Sequence, residues 1–282
     1  MTTMNRALHL LMAASLATGL AACSSDEDFA PQSNLKDTPI TVSAMVGELT
    51  TRAGYSAENL PTQFYMKIDQ SGTTYDYDVL MKNENGVWVA YDAADGTTPT
   101  TLLWEGSDGV SVTAATYQSD TAPAIETDQS TADKLKANDH LYYTSSEVTP
   151  STNGISIAFD HAMAKIDLTI TLRTEFDYAE NPITGITIDG ITPLAVSYAK
   201  PSATYEVILA PATKEADTFT ITFNVGERVF SWTSKDAVTL ASGYKYTLAL
   251  TAGQDKVTSA TFTTTAWGIG TDGSNELTGE TE

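Results

Sequence analysis

The chain has one cysteine and three histidines in 282 residues, and its 15 Lys and Arg are outnumbered by 36 Asp and Glu. One thiol cannot close an internal disulfide, so the fold must be stabilised by its core. The scarcity of histidine leaves few general bases. No HExxH zinc motif, nucleophile elbow or phosphate-binding loop is present. The formal net charge of −21 repels phosphate backbones and argues against nucleic-acid binding. Beyond the N-terminal region, no apolar run approaches the ~20 residues of a transmembrane helix. Helical periodicity is nearly absent too. Only Ser130–Asn138 reads as a short helix, with Ser130 as cap; it is polar nearly all round and suits a connector.

What is there begins with an export signal over residues 1–22. Arg6 supplies the positive end, and an apolar run from Ala7 to Leu20 follows, broken by small residues. The run ends Leu20-Ala21-Ala22-Cys23, a bulky apolar residue, two small ones and a cysteine. That order marks a lipoprotein signal, with Cys23 as the lipid-attachment residue. The small, acidic Ser24-Ser25-Asp26-Glu27-Asp28 opens a linker over residues 23–37. After the signal is removed, the arginines that remain are Arg52, Arg173 and Arg228.

Period-2 alternation dominates everything after the linker, with Thr, Val, Ile, Tyr and Phe throughout. Ile40, Val42, Ala44 and Val46 alternate with Thr41, Ser43 and Met45. Phe64, Met66 and Ile68 form a second inward set. Further alternation includes Ile155, Ile157 and Phe159, then Ile166, Leu168, Ile170 and Leu172. Later strands are expected over Thr204–Leu209, Phe219–Val225, Val229–Trp232, Tyr244–Leu250 and Ser259–Thr265. The pattern predicts an all-β protein of two tandem β-sandwich domains, residues 38–150 and 151–270, divided at the turn cluster Thr149–Gly154 and followed by a polar tail, residues 271–282.

Candidate catalytic groups are few. Asp160 beside His161 invites comparison with a serine triad, but a structural histidine within a sheet fits the surrounding strand better. His140 is the other available base. Carboxylates are plentiful enough for a paired-acid glycosidase, yet Trp88, Trp104, Trp232 and Trp267 are spread among strands rather than gathered along a cleft. The oxygen-rich loops Asp92–Asp95 and Asp272–Glu276 lack calcium-loop spacing. The chain therefore reads as a non-enzyme with no cofactor and no metal.

Several stretches converge on one family. Ile157-Ala158-Phe159-Asp160-His161-Ala162-Met163-Ala164-Lys165-Ile166 resembles the F-x-H-x-x-x-K-[IL] segment of fimbrillin lipoproteins of the Bacteroidales. Ala241–Leu248 is similar to their A-G-x-x-Y-x-[YL]-x-L strand, with Ser242 inserted before Gly243. Trp267 after Phe262–Thr265 matches the strand that ends their second domain, and Thr51-Arg52-Ala53 resembles the segment that follows their first strand. The resemblance implies two transthyretin-like β-sandwich domains and a subunit of a type V pilus, or fimbria, serving adhesion. It also implies a surface-exposed outer-membrane lipoprotein held by the lipid on Cys23. An arginine-specific protease would cut between Arg52 and Ala53, the N-terminal strand carrying Ile40, Val42, Ala44 and Val46 would leave, and another pilus subunit would fill the groove by β-strand exchange. Residues 271–282 offer only Leu277 as a large apolar side chain. Either a donor strand lies earlier, near Ser259–Trp267, or the chain is a tip or accessory subunit rather than a stalk donor, the favoured reading. The alternative is a lipid-anchored, non-polymerising surface protein that binds a glycan or host protein.

Overall fold

The computed structural model describes residues 34–46, 54–56, 58–70, 72–177, 181–254, 256–267 and 279–280. These residues are almost entirely β and form two β-sandwiches.

The first is built on a seven-stranded sheet in the order β1-β7-β6-β5-β2-β3-β4. Its strands are β1 (Val42–Val46), β2 (Gln63–Asp69), β3 (Tyr77–Glu84), β4 (Val87–Asp92), β5 (Val110–Ala115), β6 (Leu141–Val148) and β7 (Ile155–His161). Alternation sets the faces: Phe64, Met66 and Ile68 are buried while Gln63, Lys67 and Asp69 are exposed. Asn85-Gly86 turns the β3–β4 hairpin, both residues at positive φ, as the Asn-Gly pair predicts. The sheet does not stay flat. Strands β6 and β7 share only two register pairs, Leu141↔His161 and Tyr142↔Asp160, then splay. This carries β7 and β1 over the face of β2, where the Phe159 ring meets Phe64 edge-on at 5.1 Å. The core so enclosed includes Trp104, Val112, Ile155 and Ile157.

The turn cluster at 149–154 is the β6–β7 connection, and the chain leaves the first sheet only after His161. The second sandwich comes next. One layer runs β10-β11-β8-β16-β17, with β8 (Ala164–Leu172), β10 (Leu194–Ala199), β11 (Ser202–Leu209), β16 (Tyr244–Ala252) and β17 (Val257–Ala266). The facing layer contains β9 (Ile183–Ile188), β13 (Thr220–Val225) and β14 (Arg228–Ser234), with a two-residue strand β18 (Gly279–Glu280) on β14. A minor pair, β12 (Ala212–Lys214) and β15 (Val238–Leu240), flanks them. Ile166, Leu168, Ile170 and Leu172 from one layer pack against Ile188, Phe219, Ile221 and Phe223 from the other.

A short helix α1 (Ala132–Ala137) lies in the connection between β5 and β6, two strands of the first sheet. Its cap is Thr131, whose hydroxyl accepts from Lys134 N, and not Ser130, whose side chain bonds Asp128 instead. One apolar residue pins it: Leu135 is fully buried in a cluster with Met163, Ile208 and Trp267.

Candidate strand-exchange site

Among the described residues, strand β1 lies at the edge of its sheet and is hydrogen-bonded to one neighbouring strand, β7. The pairing is parallel and unbroken, from Val42↔Ile155 to Val46↔Phe159. Alternation gives the strand two unlike faces. Ile40 and Val46 are buried, and Val42 and Ala44 pack half-buried on the same core. Thr41, Ser43 and Met45 face outward. Strand β1 carries Val42, Ala44 and Val46, Ile40 precedes it on a separate pairing, and all four apolar side chains pack on the same core.

The segment before β1 is tied separately. Asp37 N donates to Trp104 O, Trp104 N to Thr38 O, and Ile40 N to Leu102 O, each at 2.9–3.0 Å. At the junction of the two pairings stands Gly154, at φ +76°. A Cβ there would collide with the Thr41 carbonyl oxygen, the acceptor of a 2.8 Å bond from Ile155 N. Only glycine supplies both the positive φ and the close approach.

Arg52 and Ala53 lie outside the described residues, as does Cys23. The stretch from Gly54 to Asn59 is anchored. Tyr55 N donates to Asp139 Oδ2 at 2.7 Å, and Asn59 Nδ2 to Gly54 O at 2.9 Å. Lys136 Nζ donates to Asn59 Oδ1 at 2.7 Å and sits 4.6 Å from the centre of the Tyr55 ring. Burial, with Asp139 adding to it, pushes the Tyr55 phenol above its ordinary range.

Asp139 is also the partner of His161. Its Oδ1 meets His161 Nδ1 at 2.6 Å, both side chains fully buried. The sequence offered Asp160 for this role, but Asp160 is one residue out of phase and points to solvent. Trp267 stacks on the imidazole at 3.8 Å and 12°. His161 Nε2 has no hydrogen-bond partner among the described residues and lies buried. The nearby hydroxyl of Ser242 donates to the His161 main-chain oxygen, at 3.0 Å, rather than to the ring. The geometry is that of a packed, hydrogen-bonded histidine–carboxylate pair at the end of β7. Parity in the run Ile155, Ile157, Phe159, His161 was the available signal for its inward position. Asp139 could not be found that way, being 22 residues distant.

The lysine of the same motif is buried as well. Lys165 Nζ stands 3.0 Å from Glu206 Oε2 and 3.5 Å from Asp167 Oδ1. The other candidate groups are dispersed. His140 packs edge-on to Tyr117 at 5.7 Å, and burial lowers its pKa. In the Asp92–Asp95 loop, Asp95 accepts from Thr97 N, Thr98 N and the Thr98 hydroxyl, which holds its carboxyl down at about 2. Asp272–Glu276 lies outside the described residues.

The sequence profile of a family described as Fimbrillin-like matches residues 90–267. The chain belongs to the fimbrillin-like family. The match takes in Asp139, His161, Lys165 and Trp267, so the buried constellation falls within the family segment, whereas β1 precedes it. No curated protein matches as a relative. Among solved structures, a candidate cell adhesion protein from Bacteroides ovatus superposes with a TM-score of 0.54 at 16% identity, covering 80% of this chain and 97% of its own. One from Bacteroides uniformis gives a TM-score of 0.51 at 16% identity, covering 82% and 98%. At that identity the likeness establishes the shared fold of this fimbrillin-like chain.

Proposed function

We propose that this fimbrillin-like protein is a subunit of a cell-surface pilus, of tip or accessory kind, serving adhesion. It is exported as a lipoprotein, held in the outer membrane through Cys23, and made competent for assembly by cleavage between Arg52 and Ala53. Family membership supports the pilus reading. One observation carries the mechanism: β1 has a single strand neighbour, yet its inner face contributes to the core.

Those two properties are what strand exchange requires. An edge strand can leave without breaking a ladder on its far side. Its departure bares the edge of β7 and uncovers the side chains over Ile155, Ile157 and Phe159. Ile40 and Val46 are the two fully buried contributors, and fully burying a side chain of this size is worth about 1.5–3 kcal/mol. Losing both costs on the order of 3–6 kcal/mol, a driving force for capturing a donor strand of matching alternation. The anchored segment Gly54–Asn59 would remain on Asp139 and Lys136 after the cut.

The N-terminal mass of the protein recovered from the cell surface tests this reading. An N-terminus at Ala53, without lipid, is the expected outcome for assembled subunits. Lipidated Cys23 as the sole N-terminus would replace strand exchange with a permanently anchored, non-polymerising surface protein.

A further inference from the structure

On the outer face of the first sandwich, strands β6, β5 and β2 lie side by side, and one register row across them reads Tyr142, Ala115, Tyr65. Adjacent strands are spaced about 4.8 Å, so the two tyrosines rise from strands about 10 Å apart with only a methyl group between them. The next outward row reads Thr144, Thr113, Lys67. These six residues floor and wall an open groove of about 240 Å³, which Tyr117 and Asp120 border on the loop leaving β5.

Among the described residues, the tyrosine hydroxyls of this groove are uncommitted. Tyr75, Tyr77, Tyr91 and Tyr246 use their hydroxyls on internal partners. The hydroxyls of Tyr65, Tyr117 and Tyr142 make no hydrogen bond with any described residue. Four cross-strand hydroxyl pairs elsewhere bond each other: Thr171 with Ser202, Thr187 with Thr222, Ser197 with Thr204 and Thr213 with Thr239. Thr113 and Thr144 are register partners as well, yet their hydroxyls do not bond each other, and both residues line the groove. The site thus offers aromatic walls, a small apolar floor and a set of unspent hydroxyls.

We propose that this groove binds one pyranose ring of a neutral glycan. A pyranose matches the arrangement: its C–H faces pack on tyrosine rings, and its equatorial hydroxyls reach hydroxyl, amine and carboxylate partners at the floor and rim. Ala115 leaves room for the ring, and the modest volume suits a single residue of a chain rather than a drug-sized ligand. Charge selects the neutral form. Lys67 already faces Asp78 at 4.0 Å, Asp120 stands at the rim, and the chain carries a formal charge of −21, which disfavours uronate or sialate. The proposal gives the adhesion reading a ligand class, but it does not depend on cleavage or polymerisation. Binding is measured on the full, unassembled chain, and processing is scored separately by N-terminal mass.

The test is saturation-transfer and chemical-shift NMR with methyl glycosides of glucose, galactose, mannose and N-acetylglucosamine, and with methyl glucuronide as the charged control. Millimolar binding of at least one neutral glycoside is expected. It should weaken about tenfold or more in Tyr142→Ala and vanish in Ala115→Leu, which fills the floor from outside the core, with thermal unfolding of Ala115→Leu unchanged. Binding of none of these probes overturns the proposal. So does binding that survives Ala115→Leu in folded protein, or a preference for the glucuronide.

Discussion

The described residues contain two parallel strand pairs, and they are built to opposite ends. β1 on β7 runs for five residue pairs at the border of its sheet. β16 on β8 runs for eight, from Lys245↔Lys165 to Ala252↔Leu172, with β11 and β17 closing both outer sides. β8 is buried at Ala164, Lys165 and Ile166 and on every second residue after that; β1 is fully buried only at Val46. The same hydrogen-bond pattern therefore serves a strand that can be withdrawn and a strand that cannot. What separates them is the number of neighbours and the share of each strand that is out of water.

His161 sits where the chain passes from one pair to the other. Met163 O accepts from Gly243 N at 3.0 Å, and the Ser242 hydroxyl holds His161 O, so the entry to β16 is tied to the exit of β7. Asp139→Ala leaves an uncompensated buried imidazole and frees Tyr55 N. It should produce the largest loss, about 2–6 kcal/mol at roughly 1–3 for each buried group left without its acceptor, read as a lowered denaturant midpoint. A loss under ~1 kcal/mol would mean the pair is not what holds the exit of β7. Leu168→Ala, in the central strand, is expected to cost about 2–5 kcal/mol by the same measurement.

The edge pair should break differently. Gly154→Ala forces an L-residue into positive φ against the Thr41 oxygen, at a cost of about 1–3 kcal/mol. Hydrogen exchange should quicken in residues 41–46 while β8 and β16 keep their protection. Equal quickening in both would remove the distinction drawn between the two pairs. At the sheet's other border, Asp95 is fully exposed and hydrogen-bonded in its ionised form, its pKa lowered from 3.8 to about 2. Its contribution is present above about 3.8 and is lost as the pH falls through about 2. The stability gap between wild type and Asp95→Ala should narrow over that window; a pH-independent gap contradicts the assignment. The smallest effect is expected for Met45→Lys, on the outward face of β1, within about 0.5 kcal/mol by thermal unfolding. A larger loss would show that this face is covered.

Alternation located the inward faces of β2, β7 and β8 because each is a half-buried strand with an unbroken period of two. Where the period is interrupted, the sequence was silent. β9 carries Gly185 at φ +58°, packed under the Asn224 amide, and its pairing with β13 slips between Thr222 and Asn224. β10 likewise shifts register against β11 between Ala195 and Ser197. The turn cluster at 149–154 looked like a boundary because Pro, Ser, Thr, Asn and Gly mark any sharp connection, and nothing local says whether the next strand rejoins the same sheet. Of the site, β1's apolar set was legible; its parallel partner and the need for glycine at position 154 were not.

By itself, then, the sequence determined that this chain is all-β, which residues of its regular strands face inward, and that one N-terminal strand of alternating residues precedes an arginine. Tertiary structure alone decided that this strand is an edge with a single neighbour, that His161 pairs with Asp139 and stacks on Trp267, and that Tyr65 and Tyr142 flank Ala115. The reason is physical. Strand periodicity is a local consequence of the pleat and is written in consecutive residues. Neighbour relations are fixed by the joint packing of segments tens to more than a hundred residues apart, and no single segment encodes them.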